Sequence, residues 1–450
     1  MAIREYMTCE LEPIEQVLMP FQVFFRSKTT SGILLIVCAV AAMVWANSPW
    51  GAYYDALWHT ECSVGFGPAV LSKSLHHWIN DGLMAVFFFV VGLEIKREFM
   101  VGELSTRSQA VLPFAGALGG MVVPAALYAL VTAGSPAIAG WGVPMATDIA
   151  FALGILSLLG DRVPYQLKIF LTAVAIVDDI GGILVIALFY TSSISMLMLG
   201  AAMALLLLAY AGNRMGVRNP FFYALIGCLV WLTVLKSGVH STVAGVAMAF
   251  MIPARTRCDA KAFLRNATNI LDDYGKSVRP GASVLTNSAM HSALLAMQHV
   301  ATSAQTPLQR LEHALHPVVD YAIMPIFALA NAGVVLGGDM GAVLSSQVTM
   351  GTLLGLVLGK PLGITLAVVA ITRISGGYPR GMSFRHFLGA GMLGGIGFTM
   401  SLFIAALAFG GSPELLTGAK TAILLASVLA GIGGYLLLRS TPLPVVSDGS

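Results

Sequence analysis

The sequence contains few charged residues. Lys, Arg, Asp and Glu make up 10% of its 450 residues, whereas about a quarter is usual in a soluble domain. No run of basic residues is longer than two and the formal net charge is only +3, so the sequence excludes a nucleic-acid-binding protein. The GxxxxGK[ST] pattern of an ATP-binding loop is also missing, which excludes that source of energy.

Cysteine is scarce as well. The cysteines are odd in number and widely separated, and none has the CxxC spacing of a metal or redox site. They are Cys9, Cys38, Cys62, Cys228 and Cys258. The sequence therefore predicts free thiols, no structural metal and no cofactor.

The chain is instead rich in long apolar stretches. Hydrophobic residues make up 57% of the chain, and its mean hydropathy is +0.82. Apolar stretches of roughly 17 to 25 residues, the length that crosses a bilayer, occur twelve times. They are residues 31–47, 76–97, 109–133, 141–160, 165–190, 195–211, 219–236, 238–253, 317–336, 349–372, 386–410 and 418–438. We therefore predict an all-α integral membrane protein with twelve transmembrane helices, surrounded by lipid.

The positions of Lys and Arg predict the orientation, because loops that stay in the cytoplasm are enriched in both. With the N-terminus inside, all but four of the 25 Lys and Arg residues fall in cytoplasmic segments. The exceptions are Lys73, Lys236 and Lys420 outside, and Lys360 within the membrane. Both termini are therefore predicted to be cytoplasmic.

This topology divides the chain into five segments. Residues 1–30 carry four glutamates and no cleavage-site pattern, so we predict a cytoplasmic amphipathic segment rather than a signal peptide. Residues 31–253 hold spans one to eight, 317–438 hold spans nine to twelve, and 439–450 form a cytoplasmic tail. Between them, residues 254–316 form a polar cytoplasmic loop with seven basic residues and a predicted helix in ATSAQTPLQRLEHALH. This loop is either a small functional appendage or a tolerated insertion.

Four charged residues lie inside predicted spans: Asp148 in span four, Asp178 and Asp179 in span five, and Lys360 in span ten. Each costs roughly 2.5 to 3.5 kcal/mol at a helix centre. A buried Asp and Lys can simply neutralise each other, but these four leave an excess of negative charge that indicates a mobile cation. Since adjacent helical residues point about 100° apart, we expect one of the paired aspartates to face a cavity and the other a protein partner.

The backbone near these charges is unsuited to continuous helix. Span four opens WGVPMATDIAF, with Gly142 and Pro144 ahead of Thr147 and Asp148. Span eleven contains GAGMLGGIGFTMSLF, which is rich in glycine. Close helix packing also favours glycine, but two broken helices of opposed orientation are typical of an inverted-repeat transporter with a central site. We predict that spans three to five and ten to twelve are the repeats.

Two other functional classes fit less well. An intramembrane aspartyl protease needs its two carboxylates on separate helices facing each other, and the adjacent Asp178 and Asp179 cannot provide this. A proton-coupled carrier of an organic molecule needs hydrogen-bonding or aromatic recognition groups near the midplane, and the glycine-rich segment offers few.

The motifs MATDIAFALGILSLLG, AIVDDIGGILVIALFYT, LANAGV, GKPLGI and GIGFTMSLFIAALAFG, in this order, resemble the NhaA family of sodium/proton antiporters. The resemblance covers about residues 20–255 and 307–438. It implies a transporter, not an enzyme, in the cell inner membrane that exchanges cytoplasmic Na+ or Li+ for external H+. The exchange would be electrogenic and pH-regulated, and the protein would be a homodimer.

The resemblance also implies roles for the intramembrane charges. Asp179 matches the main cation ligand and Asp178 its partner, and the Thr147 oxygen is a further candidate ligand of a hard cation. Asp148 and Lys360 match charges that face the crossing of the broken helices and couple proton movement, with Lys360 expected to pair with Asp178.

A pH-sensing group is implied in the same way. The segment GLEIKREF matches the family's cytoplasmic cluster, SGVHST carries a histidine linked to the pH response, and LEHALH carries a further acidic group. The residues are Glu94, Lys96, Arg97, Glu98, His240 and Glu312, with His313 and His316 nearby. Each of them also fits an ordinary interfacial charge.

Two segments depart from the family pattern. The loop after span eight is longer by some forty residues, centred on 260–305. Residues 48–74, where family members form a dimer hairpin, show only weak strand alternation, so dimerisation rests on the resemblance alone.

Overall fold

The computed structural model describes residues 28–66, 69–191, 194–278, 284–335, 337, 340–374, 377–379 and 381–441. Nearly all of the predicted N-terminal segment 1–30 and of the tail 439–450 lies outside the described residues, as does Cys9. The other four cysteines are free, as predicted.

Helices make up most of the described chain. In the first half they are α1 Lys28–Ala46, α2 Gly51–His59, α3 Leu75–His77, α4 Met84–Val101, α5 Arg107–Val131, α6 Ile149–Leu158, α7 Tyr165–Phe189, α8 Met196–Arg214, α9 Pro220–Ser237 and α10 Thr242–Met251. In the second half they are α11 Ala260–Ser277, α12 Ser288–Ala304, α13 Pro307–Val318, α14 Met324–Asn331, α15 Met340–Ser345, α16 Gln347–Leu354, α17 Lys360–Ile374, α18 Phe384–Gly394, α19 Phe398–Phe409 and α20 Pro413–Ser440. The π-helical segments Trp78–Leu83, Val319–Ile323 and Gly355–Gly359 join α3 to α4, α13 to α14 and α16 to α17.

The described helices make this an all-α, multi-pass membrane protein. Among the described residues, eight helical segments are long and apolar enough to cross a bilayer, or eleven when each of three bent helix pairs counts as one span. The predicted span 238–253 corresponds to α10, a helix of only 10 residues. The count of twelve therefore stays a prediction.

A β-hairpin follows α2. Strands β1 Glu61–Phe66 and β2 Ala69–Ser74 pair antiparallel, with Glu61 opposite Ser74 and Phe66 opposite Ala69. The side chains of residues 61–65 are all exposed. Because neither face of such a strand is buried, its sequence needs no alternation of apolar and polar residues.

The long polar loop contains two helices, α11 and α12, that pack against each other. At the base of this pair, the Ser303 carbonyl accepts hydrogen bonds from the amides of Arg257 and Cys258, at 3.1 and 3.3 Å. The predicted helix in residues 301–316 is interrupted, because Thr306 forms a capping box with Gln309 and starts α13. The helix of span nine therefore begins at Pro307, before the predicted residue 317.

The described residues fold as two compact units. The first comprises those within 1–84, 101–191 and 320–450 and contains all four intramembrane charges. Its helices α5 and α17 approach closely at Gly119 and Gly363, where a Cβ on either would lie 2.1–2.2 Å from the other's carbonyl oxygen. The second comprises residues 85–100 and 192–319, and its core includes Leu93, Val230 and Ala249.

Candidate ion-binding site

Two broken helices frame the site. The 3₁₀-helical segment Pro136–Met145 and α6 are bent by 43° at their break, and α18 and α19 by 46°. Proline at 144 lacks an amide hydrogen, so it cannot sit inside a continuous helix without losing a bond. The two breaks agree with those predicted from the sequence in spans four and eleven.

The breaks bind each other through their freed backbone groups. The Thr147 hydroxyl donates to the Gly394 carbonyl at 2.9 Å, and the Asp148 amide donates to the Ile396 carbonyl at 2.7 Å. A third bond runs from the Ser401 hydroxyl to the carbonyl of Val143 at 2.8 Å. Non-helical backbone at membrane depth requires such partners, because no water or lipid group supplies them.

Asp148 joins the N-termini of two helices. Its Oδ1 caps α6 by accepting from the Phe151 amide at 3.0 Å. Its Oδ2 accepts from the amide of Thr399 at 3.2 Å and from the hydroxyl of the same residue. A carboxylate at this position is stabilised by the partial positive charge at both helix N-termini. Thr399 was not among the predicted site residues, although it lies in the GIGFTMS motif.

Lys360 is fully buried, with 0% of its surface exposed. Its Nζ donates to Oδ2 of Asp178 at 2.5 Å and also to the carbonyl of Met145. That carbonyl is freed because the helix breaks directly after it. The ammonium is therefore held by one full and one partial negative charge.

The paired aspartates lie in the middle of α7, both buried. Asp178 faces the ammonium and has Thr147 nearby, and its Oδ1 accepts no hydrogen bond from the described residues. Asp179 is the more exposed of the two, at 8%, and is close enough to Lys360 to interact electrostatically with it.

The site has more negative than positive charge. Asp148, Asp178 and Asp179 contribute three carboxylates, and Lys360 is the charge that offsets one of them. Carboxylate, hydroxyl and carbonyl oxygens are hard ligands, which suit small hard cations. The same oxygens also accept protons, so the arrangement can bind a cation or protons in turn.

A second charged cluster, here named the Arg97 cluster, lies in the other unit on α4 and α13. The Arg97 guanidinium contacts Glu312 and donates to Glu98 at 2.9 Å. Nε2 of His316 lies 2.8 Å from Glu94. The structure thus brings together these five residues: Glu94, Arg97, Glu98, Glu312 and His316.

Two of the predicted pH-sensing residues are arranged differently. Lys96 donates to the carbonyls of Phe250 and Ile252, at 2.7 and 2.5 Å, which ties α4 to the C-terminal end of α10. His240 lies just before the N-terminal end of α10 and contacts the Thr242 hydroxyl at 2.9 Å. Because α10 is about 15 Å long at 1.5 Å per residue, His240 is remote from the Lys96 contact.

A further buried polar group was not among the predicted site residues. The fully buried Asn331 donates to Oδ1 of Asn80 at 3.0 Å and lies 3.1 Å from the His76 ring. An asparagine within an apolar stretch was the signal that could have identified Asn331, because an unpaired amide inside a membrane is costly.

Known proteins match this chain over nearly its whole length. A sequence profile of the family described as Na+/H+ antiporter 1 matches residues 22–438. The Na(+)/H(+) antiporter NhaA of Oleidesulfovibrio alaskensis is 52% identical over 432 residues, which cover 95% of each chain. This chain belongs to the Na+/H+ antiporter 1 family. The recognition made from the motifs is therefore confirmed, and this family consists of transporters rather than enzymes.

A second relative matches over a similar length. The Na(+)/H(+) antiporter NhaA of Koribacter versatilis is 49% identical over 427 residues, covering 95% of this chain and 92% of that protein. Among solved structures, the sodium proton antiporter MjNhaP1 from Methanocaldococcus jannaschii at pH 8 aligns with a TM-score of 0.48 and 13% identity, over 91% of this chain and 92% of that one. The matched family region contains both broken helices, the paired aspartates and the Arg97 cluster.

Proposed function

We propose that this protein exchanges Na+, or Li+, for H+ across the membrane. The observation that carries the proposal is the excess of buried acid at the site, where three carboxylates are buried but only one ammonium, which pairs with Asp178. Buried carboxylates that outnumber the fixed positive charge are costly unless one of them is protonated or binds a cation. Alternation between these two states is the chemistry of an antiporter.

In this mechanism Asp179 is the main cation ligand, helped by oxygens of Asp178 and Thr147. Cation binding displaces protons, because both compete for the same oxygens. Lys360 compensates the charge of Asp178 and releases it when that carboxylate takes up a proton or a cation. Asp148 holds the two broken helices together while the site is exposed to each side in turn.

Electrogenic exchange follows from the number of acidic groups. The paired carboxylates of Asp178 and Asp179 can return two protons for each monovalent cation exported, so each cycle moves one net charge. The proton gradient and the membrane potential then both drive Na+ out of the cell, which suits sodium and pH homeostasis.

The orientation and regulation are part of the same proposal. The protein would lie in the inner membrane with both termini cytoplasmic, an orientation that the distribution of Lys and Arg supports. The Arg97 cluster would then be on the cytoplasmic side. There the cluster, with Lys96, would switch exchange on as pH rises, and His240 would modulate it. The β1–β2 hairpin, in which residues 61–65 are exposed, supports a homodimer, because strand edges with unpaired amides bind a second copy readily.

The test is exchange by purified protein in liposomes that carry an internal acid load and a pH-sensitive dye. We expect Na+ and Li+, but not choline, to drive proton movement, and a potential-sensitive dye to report net charge transfer. Protein that moves protons equally well with all three cations would contradict the assignment. Exchange without net charge transfer would contradict only the electrogenic part.

A further inference from the structure

The Arg97 cluster contains a set of metal-ligand atoms. Nε2 of His316 lies 2.8 Å from Oε1 of Glu94 and 3.7 Å from Oε1 of Glu312. One ligand atom from each of the three residues lies within 4.8 Å of the other two. Ligands at about 2.0–2.2 Å from a metal ion are about 3–3.5 Å apart, so the three side chains need only small movements to share an ion. In the part of the chain that the structure describes, no other three His, Cys, Asp or Glu residues form such a group.

The charges of the cluster favour a divalent cation. Glu94, Glu98 and Glu312 supply three carboxylates, and the guanidinium of Arg97 offsets one of them. The imidazole must be neutral to bind a metal, and in that form the cluster keeps two negative charges. Lys96 does not offset these, because its ammonium donates to two backbone carbonyls.

The types of ligand atom limit which metal ions suit the cluster, and an adjacent cavity gives an ion access to it. Mg2+ and Ca2+ prefer ligand sets made only of oxygens, whereas two carboxylates and an imidazole suit Zn2+, Mn2+ or Co2+. His316 and Glu312 line a cavity of about 810 Å³ that also borders Arg97. Glu312 is only 5% exposed, so a bound ion would lie where water competes weakly.

We propose that Glu94, Glu312 and His316 bind a divalent transition-metal ion, with water in the remaining coordination positions. The ion would join α4 to α13 at the Arg97 cluster. This site is separate from the intramembrane aspartates and does not depend on which ions the protein transports.

The experiment measures Zn2+ binding to the full-length protein in detergent by calorimetry. The protein carries no affinity tag, and its five cysteines are replaced by serine, so that neither tag nor thiols bind the metal. We expect one Zn2+ per chain and a higher unfolding temperature with Zn2+, because the ion binds only the folded cluster. Co2+ bound in place of Zn2+ should show a visible absorption spectrum typical of Co2+ with a nitrogen ligand.

Three variants separate this site from adventitious binding. His316→Gln and Glu94→Gln should each weaken Zn2+ binding by at least about tenfold. Loss of a residue that only hydrogen-bonds to a metal ligand already weakens metal binding by about that factor, and both of these residues are proposed as ligands. His313→Gln, an exposed histidine beside Glu312 in the same helix, should leave it unchanged. The proposal is overturned if the parent protein binds no Zn2+, or if His313→Gln weakens binding as much as His316→Gln. Both results are independent of exchange, so they leave the proposed function standing.

Discussion

Lys360 and Asp178 form an ion pair in which both side chains are buried, with Nζ 2.5 Å from Oδ2. The two residues lie on α17 and α7, so the bond joins helices from the two predicted repeats. Removing one member of such a pair costs about 3–5 kcal/mol, because the other charge remains buried without a partner.

This cost predicts a pattern among variants of the pair. Asp178→Asn alone should unfold at a lower temperature than the parent, because the ammonium is stranded. Asp178→Asn with Lys360→Gln should recover most of the lost stability, still bind Na+ through Asp179, and move fewer protons per cation. Thermal unfolding, Na+ calorimetry and a potential-sensitive dye measure the three effects. A double variant less stable than the single one would disprove the pairing argument.

Thr399 provides a second test, at the crossing itself. Thr399→Val removes the hydroxyl that donates to Asp148 but keeps the shape of the side chain. Leaving a buried acceptor with one bond fewer should cost about 1–3 kcal/mol, and exchange should slow because Asp148 no longer holds both helix ends. Thr399→Ser keeps the hydroxyl and should retain exchange.

A matched control for this substitution is Thr421→Val on α20. The Thr421 hydroxyl donates only to the carbonyl of Thr417, one turn earlier in its own helix. We expect little change in unfolding temperature or exchange. If the two valine variants behaved alike, the special role of the Asp148 contact would be lost.

Much of the site could be predicted because its signals are local. A charge inside an apolar run and a proline or glycine at membrane depth each carry a cost that needs a reason. Those signals alone led to Asp148, Asp178, Asp179, Lys360 and the two breaks. The choice of Asp178 over Asp179 as the Lys360 partner followed only from family resemblance, because it depends on how two helices face each other across the fold.

Other features depend on contacts that no local pattern specifies. The sequence does not distinguish Thr399 from the other threonines, because its contact with Asp148 forms only when the two breaks come together in the fold. Residues 61–65 of strand β1 are exposed on both faces, so this strand imposes no alternation. The start of α13 could have been predicted, since Thr306 and Gln309 have the spacing of a capping box. The apolar stretch alone does not include this helix start, so it gave residue 317 as the start of span nine.

The close approach of α5 and α17 predicts intolerance of side chains. Gly119→Ala would put a Cβ 2.2 Å from the Gly363 carbonyl oxygen, so the helices must separate. Overpacking of this kind costs about 1–3 kcal/mol or more, and we expect a lower unfolding temperature with reduced exchange. Gly200→Ala, where no atom lies within 4 Å of the added Cβ, is the control and should not lower the unfolding temperature or the rate of exchange.

The α11–α12 pair allows the insertion interpretation to be tested. Cys258 N and Ser303 O are 3.3 Å apart, so a short Gly-Ser linker can replace residues 260–302 without stretching the chain. The described part of the pair holds none of the intramembrane charges and none of the Arg97 cluster. We expect the deleted protein to fold and to exchange ions at a rate near that of the parent. Loss of exchange in protein that elutes as a folded species would instead indicate a functional appendage.

The last prediction concerns the Arg97 cluster as a regulator. Arg97→Gln removes the positive charge that contacts Glu312 and Glu98. Each proton released from the cluster then leaves a negative charge that no guanidinium offsets, so exchange should switch on at a higher pH while its maximal rate stays similar. Arg310→Gln, an exposed arginine that lines the same cavity, removes the same charge without touching the cluster and should not shift the profile. Rates of exchange measured across a pH series decide the matter: a uniform fall at every pH, with the profile unmoved, would show that Arg97 supports the fold rather than the pH response.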